Sequence, residues 1–350
     1  MRKKQLDGLR FVSFIGIFLY HTDLERFWFG NFAVPLFFVL SGFLITNLLL
    51  EQQAPFKEAL FSFYMRRFLR IFPAYYLVLT VAILFKKIQF PVWNLFYLFN
   101  IKLFLLSMAN QAWLVLENWR SSGAHLWTIC VEEQFYVIYP LILLAVPPKR
   151  QIPILTGLLF ASILCRFAFK FFLPSSYYGI LLPVCGEYLM WGSLFGYAQA
   201  KAAFKSIAPA LFLYSGLALL AILFLMGRPH ISESMSFHPP DRQTFFGLGF
   251  SLLILGLWAD DRSFPAKFLS LPFFSYLGKI SYGLYLIHPF TWELGAYIKN
   301  VFPGLSFINS TVLRFSLTVS LAALSWHFFE SPINRLRKHF FNSGNPLHAR

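Results

Sequence analysis

The sequence has few charged side chains. Asp, Glu, Lys and Arg make up 13% of its 350 residues, whereas 57% are hydrophobic. Charged residues form about a quarter of a typical soluble domain, so this composition excludes an ordinary soluble protein. Apolar segments recur along nearly the whole chain, which also excludes a soluble enzyme held by a single anchor. We therefore predict a polytopic membrane protein.

Acidic residues are scarcer than basic ones, 15 against 30, which gives a formal net charge of +15. The basic residues lie at the ends of apolar runs, as in Met1–Lys4, Arg66–Arg70, Lys149–Arg150 and Arg335–Lys338. Such clusters are typical of cytoplasmic loops, where Lys and Arg set the orientation of membrane helices. We assign this charge to contact with membrane lipid and expect no nucleic-acid partner.

Cysteine is nearly absent, and several nucleotide and metal motifs are missing. Cys130, Cys165 and Cys185 are odd in number, lie inside apolar segments and lack the spacing of metal ligands. This excludes a disulfide framework, and we expect no metal. No glycine-rich phosphate loop occurs, which argues against an ATP-driven machine.

Membrane-spanning segments are the main feature that is present. A spanning helix needs about 20 mostly apolar residues. The segment 91–107 is the weakest candidate, because it begins at Pro91 and contains Asn94, Asn100 and Lys102. When it is omitted, the basic loops and both termini fall on one side of the membrane; when it is included, several basic loops move outside. The remaining candidates are 8–25, 31–50, 71–87, 126–146, 152–171, 180–198, 207–226, 244–260, 274–298 and 308–330.

The sequence thus predicts an all-α, polytopic membrane helix bundle of about ten transmembrane helices with both termini in the cytoplasm. Residues 88–125 become an external segment that lies at the interface or re-enters the membrane, since Trp93, Trp113 and Trp119 favour the headgroup layer. We expect one membrane domain over residues 1–335 and a short cytoplasmic tail over 336–350.

Ionisable residues at bilayer depth are costly and are functional candidates by default. In "LRFVSFIGIFLYHTD", Arg10 and His21 are eleven residues apart, which is about 16 Å along a helix and close to three full turns. Both therefore point to one side, with Arg10 near the cytoplasmic mouth of a passage and His21 deep within it. The alternative is structural: Arg10 reaches the cytoplasmic phosphates and His21 ends the helix at the outer interface.

The stretch "FYMRRFLRIFP" contains three arginines, Arg66, Arg67 and Arg70. Guanidinium groups match phosphate oxygens two at a time, so this cluster predicts a site for a phosphorylated ligand. The alternative is that the charges only orient the helix against anionic lipid.

The stretch "HLWTICVEEQFYVIYP" places Glu132 and Glu133 inside a span. Adjacent helical residues point about 100° apart, so we expect only one of the two to face a cavity. That residue is a candidate to orient an imidazole or to bind a polar substrate. The alternative is an ion pair with an Arg or Lys of another span.

Two other stretches are assigned structural roles. In "SYGLYLIHPF", Pro289 frees a carbonyl one turn back, and His288 or Ser281 is expected to help satisfy it; the alternative for His288 is a catalytic role. In "GEYLMWGSLFG", Gly186, Gly192 and Gly196 have the small-residue spacing that favours close helix packing.

Taken in order, these stretches resemble the acyltransferase-3 family of bacterial and animal membrane O-acyltransferases. The similarity covers nearly the whole chain, and the family also has ten spans. It implies transfer of an acyl group from acyl-coenzyme A, with acetyl-coenzyme A as the expected donor, to a hydroxyl of a cell-surface polysaccharide or glycolipid. The matching stretches are "LDGLRFVSFIGIFLYH", "AVPLFFVLSGFLI", "FYMRRFLRIFPAYY", "HLWTICVEEQFY", "ISYGLYLIHPF" and "FFESPINR".

The resemblance also implies roles for the polar residues. An imidazole, with an ordinary pKa near 6.5, can take the proton of a hydroxyl as it attacks a thioester. No serine or cysteine has the setting of a nucleophile elbow, which favours direct transfer. The implied catalytic residues are His21 as the base, Arg10 on the approach of the donor, and Glu132 or Glu133 in support. The implied donor-phosphate residues are Arg67 and Arg70, with Arg66 beside them.

Some positions depart from the family pattern. Ala33 stands where glycine is common, and Cys185 and Glu187 stand where an arginine and an aspartate are frequent. We expect a multi-pass protein of the bacterial cytoplasmic (inner) membrane. The rival hypothesis is a non-enzymatic flippase or exporter of a lipid-linked saccharide, for which broken helices in matching halves are expected; the sequence shows no such symmetry.

Overall fold

The computed structural model describes residues 3–22, 27–52, 54–116, 123–226, 242–301 and 307–336. Within these ranges the chain forms helices and turns and contains no strand. The predicted all-α class is therefore confirmed. Trp119 and all of the predicted tail beyond residue 336 lie outside the described residues.

The helices follow one another with short connections. The first six are α1 (Lys4–Thr22), α2 (Ala33–Leu50), α3 (Phe56–Leu84), α4 (Pro91–Leu95), α5 (Phe99–Met108) and α6 (Trp113–Leu116). The next five are α7 (Trp127–Ala145), α8 (Pro148–Phe172), α9 (Leu182–Ala200), α10 (Pro209–Leu225) and α11 (Gln243–Ala259). The last six are α12 (Phe264–Leu269), α13 (Pro272–Lys279), α14 (Ser281–Ile287), α15 (Thr291–Val301), α16 (Phe307–Ser325) and α17 (Ser331–Arg335). Short 3₁₀ turns span Trp28–Phe32, Ala124–Leu126 and Tyr178–Ile180, and a π-helical turn spans Trp326–Glu330.

Several of these helices suit a lipid environment, where each backbone polar group must be bonded within the protein. Among the described residues, five helical stretches are long and apolar enough to cross a membrane: Trp28–Leu50, Phe56–Leu84, Ala124–Ala145, Pro148–Phe172 and Ser310–Arg335. Shorter apolar helices, α10 and α11 among them, accompany these five. The chain is therefore a multi-pass membrane protein. Which side faces the cytoplasm stays a prediction from the loop charges.

In the described part of the segment between α3 and α7, the helices are short. The ten residues of α5 extend about 15 Å, half of a hydrocarbon core of about 30 Å. Asn94 in α4 and Asn100 in α5 are buried: Tyr75 Oη donates to the backbone Asn94 O over 2.9 Å, and Gln134 Nε2 donates to Asn100 Oδ1 over 2.8 Å. The Asn100 side chain therefore attaches the segment to α7, and the backbone at Asn94 attaches it to α3.

The predicted span 274–298 is wrong as a single helix. The chain forms α13, α14 and α15 there, and the second break falls at His288, Pro289 and Phe290. Pro289 has no N–H to continue the helical ladder. The break exposes polar backbone inside the bundle, where side chains must satisfy it.

A buried ion pair joins α8, α9 and α11. Arg166 Nε lies 2.9 Å from Glu187 Oε2, and both side chains are almost completely buried. Thr244 Oγ1 donates to the other oxygen of Glu187 and accepts from Arg166 Nη2. A buried charge must be paired and hydrogen-bonded, so this network explains how Glu187 is tolerated in a span and gives it a structural role.

Candidate active site

The first turns of α1 are fixed by two glycines that permit close backbone contact. A Cβ at Gly8 would overlap Leu269 O, and a Cβ at Gly278 would overlap Asp7 O. Only residues without a side chain fit there, so α1 lies directly against α12 and α13. On this turn, Arg10 Nη1 donates to Asp7 Oδ1 over 2.8 Å. Asp7, which the sequence analysis did not single out, therefore sets the direction of the Arg10 guanidinium.

Arg10 opens onto a cavity of about 100 Å³ between α1, α2, α3, α7 and α14. We call it the basic cavity, because three guanidinium groups line it. Its polar lining consists of Arg10, Ser41, Arg67, Arg70, Thr128, Glu132, Glu133, Tyr136, Ser281, Tyr282 and Tyr285. The rest of its wall is apolar, which suits a ligand with a charged end and an uncharged arm.

The three arginines of α3 do not act as one cluster. Arg67 and Arg70 both line the basic cavity, and the Arg67 guanidinium lies 5.0 Å from the ring centroid of Tyr136. Arg66 does not line it; its Nη2 donates to Ser62 Oγ over 2.8 Å. The geometry thus supports Arg67 and Arg70 as ligand contacts and gives no support to Arg66.

Glu132 and Glu133 both line the basic cavity, so the expectation that only one of them faces it is wrong. Ser41 Oγ donates to Glu132 Oε1 over 2.7 Å, and Tyr136 Oη donates to Ser41 Oγ over 3.2 Å. Glu133 is only 7% exposed, and its Oε1 is buried without a hydrogen-bond partner in the described residues. The cavity reaches both of these positions on α7 because its other walls come from four helices, α1, α2, α3 and α14.

A second, much smaller cavity of about 10 Å³ surrounds His21. A volume of this size holds about one water molecule. Its lining includes His21, His288, Thr291, Trp292 and Arg314, with the Arg314 guanidinium 3.8 Å from the Trp292 ring centroid. Arg10 and His21 therefore line different cavities, and the single passage expected from the sequence is divided.

The division consists of Tyr285 and its neighbours. The hydroxyls of Tyr285 and Thr128, which line the basic cavity, lie 2.6 Å apart. Both also lie within hydrogen-bond distance of His125 O, at 2.9 and 3.1 Å respectively, so that one hydroxyl donates to the other and the other donates to this carbonyl. The Tyr285 ring centroid is 5.5 Å from that of His288, which lines the small cavity. One aromatic side chain and its hydrogen bonds thus separate the two spaces.

The imidazole of His21 meets that of His288. His21 Nδ1 lies 2.9 Å from His288 Nε2, and the two rings are inclined by 23° with centroids 4.9 Å apart. On its other side, His288 Nδ1 lies 2.7 Å from Tyr285 O. The predicted role of His288 in satisfying the carbonyl freed by Pro289 is confirmed, and the contact with His21 comes in addition.

Comparison with known proteins shows the family of the chain. A family model described as an acyltransferase domain matches residues 3–329. The chain belongs to the acyltransferase-3 family. No solved structure matches it significantly.

Curated relatives of this acyltransferase-3 protein are O-acetyltransferases by name. The chain is 27% identical to the peptidoglycan O-acetyltransferase OatA of Listeria monocytogenes over 94% of its own length and 55% of that protein. It is 28% identical to the O-acetyltransferase OatA of Staphylococcus aureus, over 94% of its length and 57% of the relative. The chain therefore spans a little over half of the curated relatives that it matches.

In this acyltransferase-3 chain, sequence reasoning located the arginines, His21 and His288 but missed two contributors, Asp7 and Ser41. Asp7 holds Arg10, and Ser41 holds Glu132. His288 was noticed because an imidazole beside a proline inside a span is unusual, but its contact with His21 was not foreseen. His21, His125 and His288 lie near one another, but the described residues contain no group of three or more side chains arranged to bind a metal ion.

Proposed function

We propose that the protein is a membrane-embedded O-acyltransferase that moves an acetyl group from acyl-coenzyme A to a hydroxyl of a cell-surface polysaccharide or glycolipid. The observation that carries the proposal is the position of His21. Its imidazole lines a small cavity, and only Tyr285 and His288 separate this space from the cavity that three arginines line. Such a site suits a reaction between two substrates that arrive from opposite sides.

The chemistry of the basic cavity's lining corresponds to that of the donor. Coenzyme A carries phosphates at one end and an uncharged pantetheine arm with amide groups at the other. Arg70 is exposed, and with Arg10 and Arg67 it would bind the phosphates through charge-assisted hydrogen bonds. Glu132 and Glu133 would accept hydrogen bonds from the amide N–H groups of the arm deeper in the cavity.

The chemistry at His21 is a proton transfer coupled to acyl transfer. The imidazole takes the proton of the acceptor hydroxyl while the hydroxyl oxygen attacks the thioester carbonyl. The new C–O bond forms, the C–S bond breaks, and the imidazolium returns its proton to the departing thiolate. The bonds formed and broken and the transferred proton balance without an acyl-enzyme intermediate.

The thioester must pass Tyr285 to reach His21. The hydroxyls of Tyr285 and Thr128 share two hydrogens between each other and His125 O, and a modest rotation of the tyrosine would exchange its hydrogen bond there for a contact with the donor. The donor cavity would then be continuous with the space around His21. Donor binding itself would complete the site.

The acceptor is proposed from the relatives. One of them is named as a peptidoglycan O-acetyltransferase, so we propose a cell-wall glycan acceptor for this chain as well. Such an acceptor lies outside the cytoplasm, and coenzyme A lies within it. The protein would therefore act in the bacterial cytoplasmic membrane.

One observation favours the rival, a flippase or exporter of a lipid-linked saccharide. The helix broken at His288 and Pro289 is of the kind that transporters use at their binding sites. Acyl transfer explains that break equally well, since the break brings His288 to His21.

The two functions differ in thioester turnover. Purified protein in lipid nanodiscs would be given acetyl-coenzyme A and a soluble muropeptide, and release of thiol would be followed together with acetylation of the glycan. We expect thiol release that depends on the glycan, with one acetyl ester formed per thiol. Transport of a lipid-linked saccharide in proteoliposomes, without any turnover of acetyl-coenzyme A, would instead support the rival.

Removing the charges of Arg67 and Arg70 tests the donor site. In R67Q/R70Q we expect the KM for acetyl-coenzyme A to rise by about 100- to 200-fold, because two charge-assisted hydrogen bonds of about 1.5 kcal/mol each are lost. We expect kcat to change by less than about threefold, because these contacts are the same in the ground state and the transition state. Steady-state kinetics with varied donor measures both.

R66Q is the matched control for this experiment. It removes one such charge from the same helix, whereas R67Q/R70Q removes two, and Arg66 bonds to Ser62 and does not line the cavity. Its donor KM should stay close to that of the unmodified protein. An equal rise in R66Q and R67Q/R70Q would mean that general surface charge, and not the cavity, determines donor affinity.

A further inference from the structure

The broken helix fixes which nitrogen of His288 carries a hydrogen. In an α-helix the N–H of residue 289 would bond to the carbonyl of residue 285, but Pro289 has no N–H. His288 Nδ1 takes this place, 2.7 Å from Tyr285 O. A carbonyl oxygen only accepts hydrogen bonds, so Nδ1 must be the protonated nitrogen.

The hydrogen on His288 in turn determines the hydrogen on His21. A neutral imidazole has one N–H, so His288 Nε2 carries a lone pair. This atom lies 2.9 Å from His21 Nδ1, and the hydrogen of that contact must come from His21. The His21 imidazole therefore has its hydrogen on Nδ1 and its lone pair on Nε2. The opposite tautomers would bring the lone pair of His288 Nδ1 against Tyr285 O.

The surroundings hold the His288 ring in this orientation. The side chain is 3% exposed, and the rings of Phe14 and His125 form T-shaped contacts with it, with centroids at 5.7 and 5.4 Å. The backbone is fixed as well, since Thr291 Oγ1 donates to His288 O over 2.8 Å and contacts Thr318 Oγ1 at 3.0 Å. The ring cannot flip without losing both of its hydrogen bonds.

We infer that His288 is a positioning residue that sets the tautomer of His21, so that His21 Nε2 is the atom that takes the proton of the acceptor hydroxyl. The inference rests on the proposed function. In Ser-His-Asp sites a carboxylate orients the catalytic imidazole. Here the neutral imidazole of His288 orients His21, and Tyr285 O, which Pro289 leaves without a helical partner, orients His288. When Nε2 is protonated, Nδ1–H stays bonded to His288 and the imidazolium keeps its place.

Two amide variants separate positioning from packing. The glutamine of H288Q reaches the position of Nε2 and can accept from His21 Nδ1–H. The asparagine of H288N reaches the position of Nδ1 and can satisfy Tyr285 O, but it is too short for His21. We expect H288N to lower kcat by about 100- to 1,000-fold, a loss typical of a misoriented general base. H288Q should recover at least about tenfold of this, the worth of one hydrogen bond, and the donor KM should stay unchanged in both.

The outcomes are distinct. Equal kcat values for H288N and the unmodified protein, or a loss that appears only in KM, would overturn the positioning role. If the unmodified protein transfers no acyl group at all, the proposed function fails instead. Should both variants fail to fold, which thermal unfolding in detergent would reveal, the unmodified protein still decides the matter. Its ¹⁵N-histidine spectrum, with the His21 signals assigned by comparison with H21Q, should show protonation at Nδ1, and protonation of His21 at Nε2 would refute the inference.

Discussion

Replacement of His21 by alanine is expected to lower kcat for acyl transfer by about a thousandfold or more, within the usual worth of a general base. The variant removes the only proposed acceptor of the hydroxyl proton. Donor binding should persist, because Arg10, Arg67 and Arg70 line a separate cavity. Thiol release in the presence of glycan measures the first effect, and equilibrium binding of a non-hydrolysable acetyl-coenzyme A analogue measures the second.

His327→Ala is the matched control. It removes an imidazole from another helical segment, where the ring is exposed and bonds to Tyr276 Oη at 3.1 Å. Its kcat should be close to that of the unmodified protein. Turnover of H21A within tenfold of normal would show that the base has been misassigned. Loss of donor binding together with turnover would show that His21 supports the fold of the cavity and does not act only in the chemistry.

The sequence predicts most of the helices because the bilayer imposes a simple rule on them. Segments such as 152–171 and 244–260 correspond to α8 (Pro148–Phe172) and α11 (Gln243–Ala259) to within a few residues. Apolar length and flanking charge suffice for these. These two features do not predict the structure of 274–298, because the residues stay apolar through Pro289 although the helix ends at Ile287.

The candidate site is predictable only where its residues share one helix. The spacing of Arg67 and Arg70 already places both on neighbouring faces of α3, and they line one cavity. The contact between His21 and His288 joins residues 267 positions apart, and a single sequence does not indicate which distant residues come into contact. For the same reason, the bond between Ser41 and Glu132 and the position of Tyr285 between the cavities could not be predicted from the sequence.

Gly192→Ala is expected to prevent normal assembly of the bundle. The most extensive contact between two helices in the described residues joins α2 and α9. A Cβ at Gly192 would overlap Val39 O and lie 2.8 Å from Val39 C and 2.9 Å from Phe43 N. All of these are backbone atoms, so no side chain can move aside and the two helices must separate. We expect a cost above the usual 1–3 kcal/mol for overpacking, roughly 3 kcal/mol or more, seen as a lower yield of monodisperse protein and a lower thermal midpoint in detergent.

Gly186→Ala on the same helix is the control, because a Cβ there meets nothing closer than Leu182 Cδ1 at 3.6 Å. This change should be neutral or stabilising by up to about 1 kcal/mol, since alanine favours a helix more than glycine does. The small-residue spacing in the sequence treats these glycines alike, whereas the structure separates them. Separation of α2 from α9 should also disturb the site, because α2 carries Ser41, which bonds to Glu132 in the basic cavity. Even if lipid partly restores the stability of G192A, we therefore expect its donor KM to stay raised. If G192A and G186A unfold at the same temperature, the close contact of α2 with α9 is not the feature that fixes this wall of the cavity.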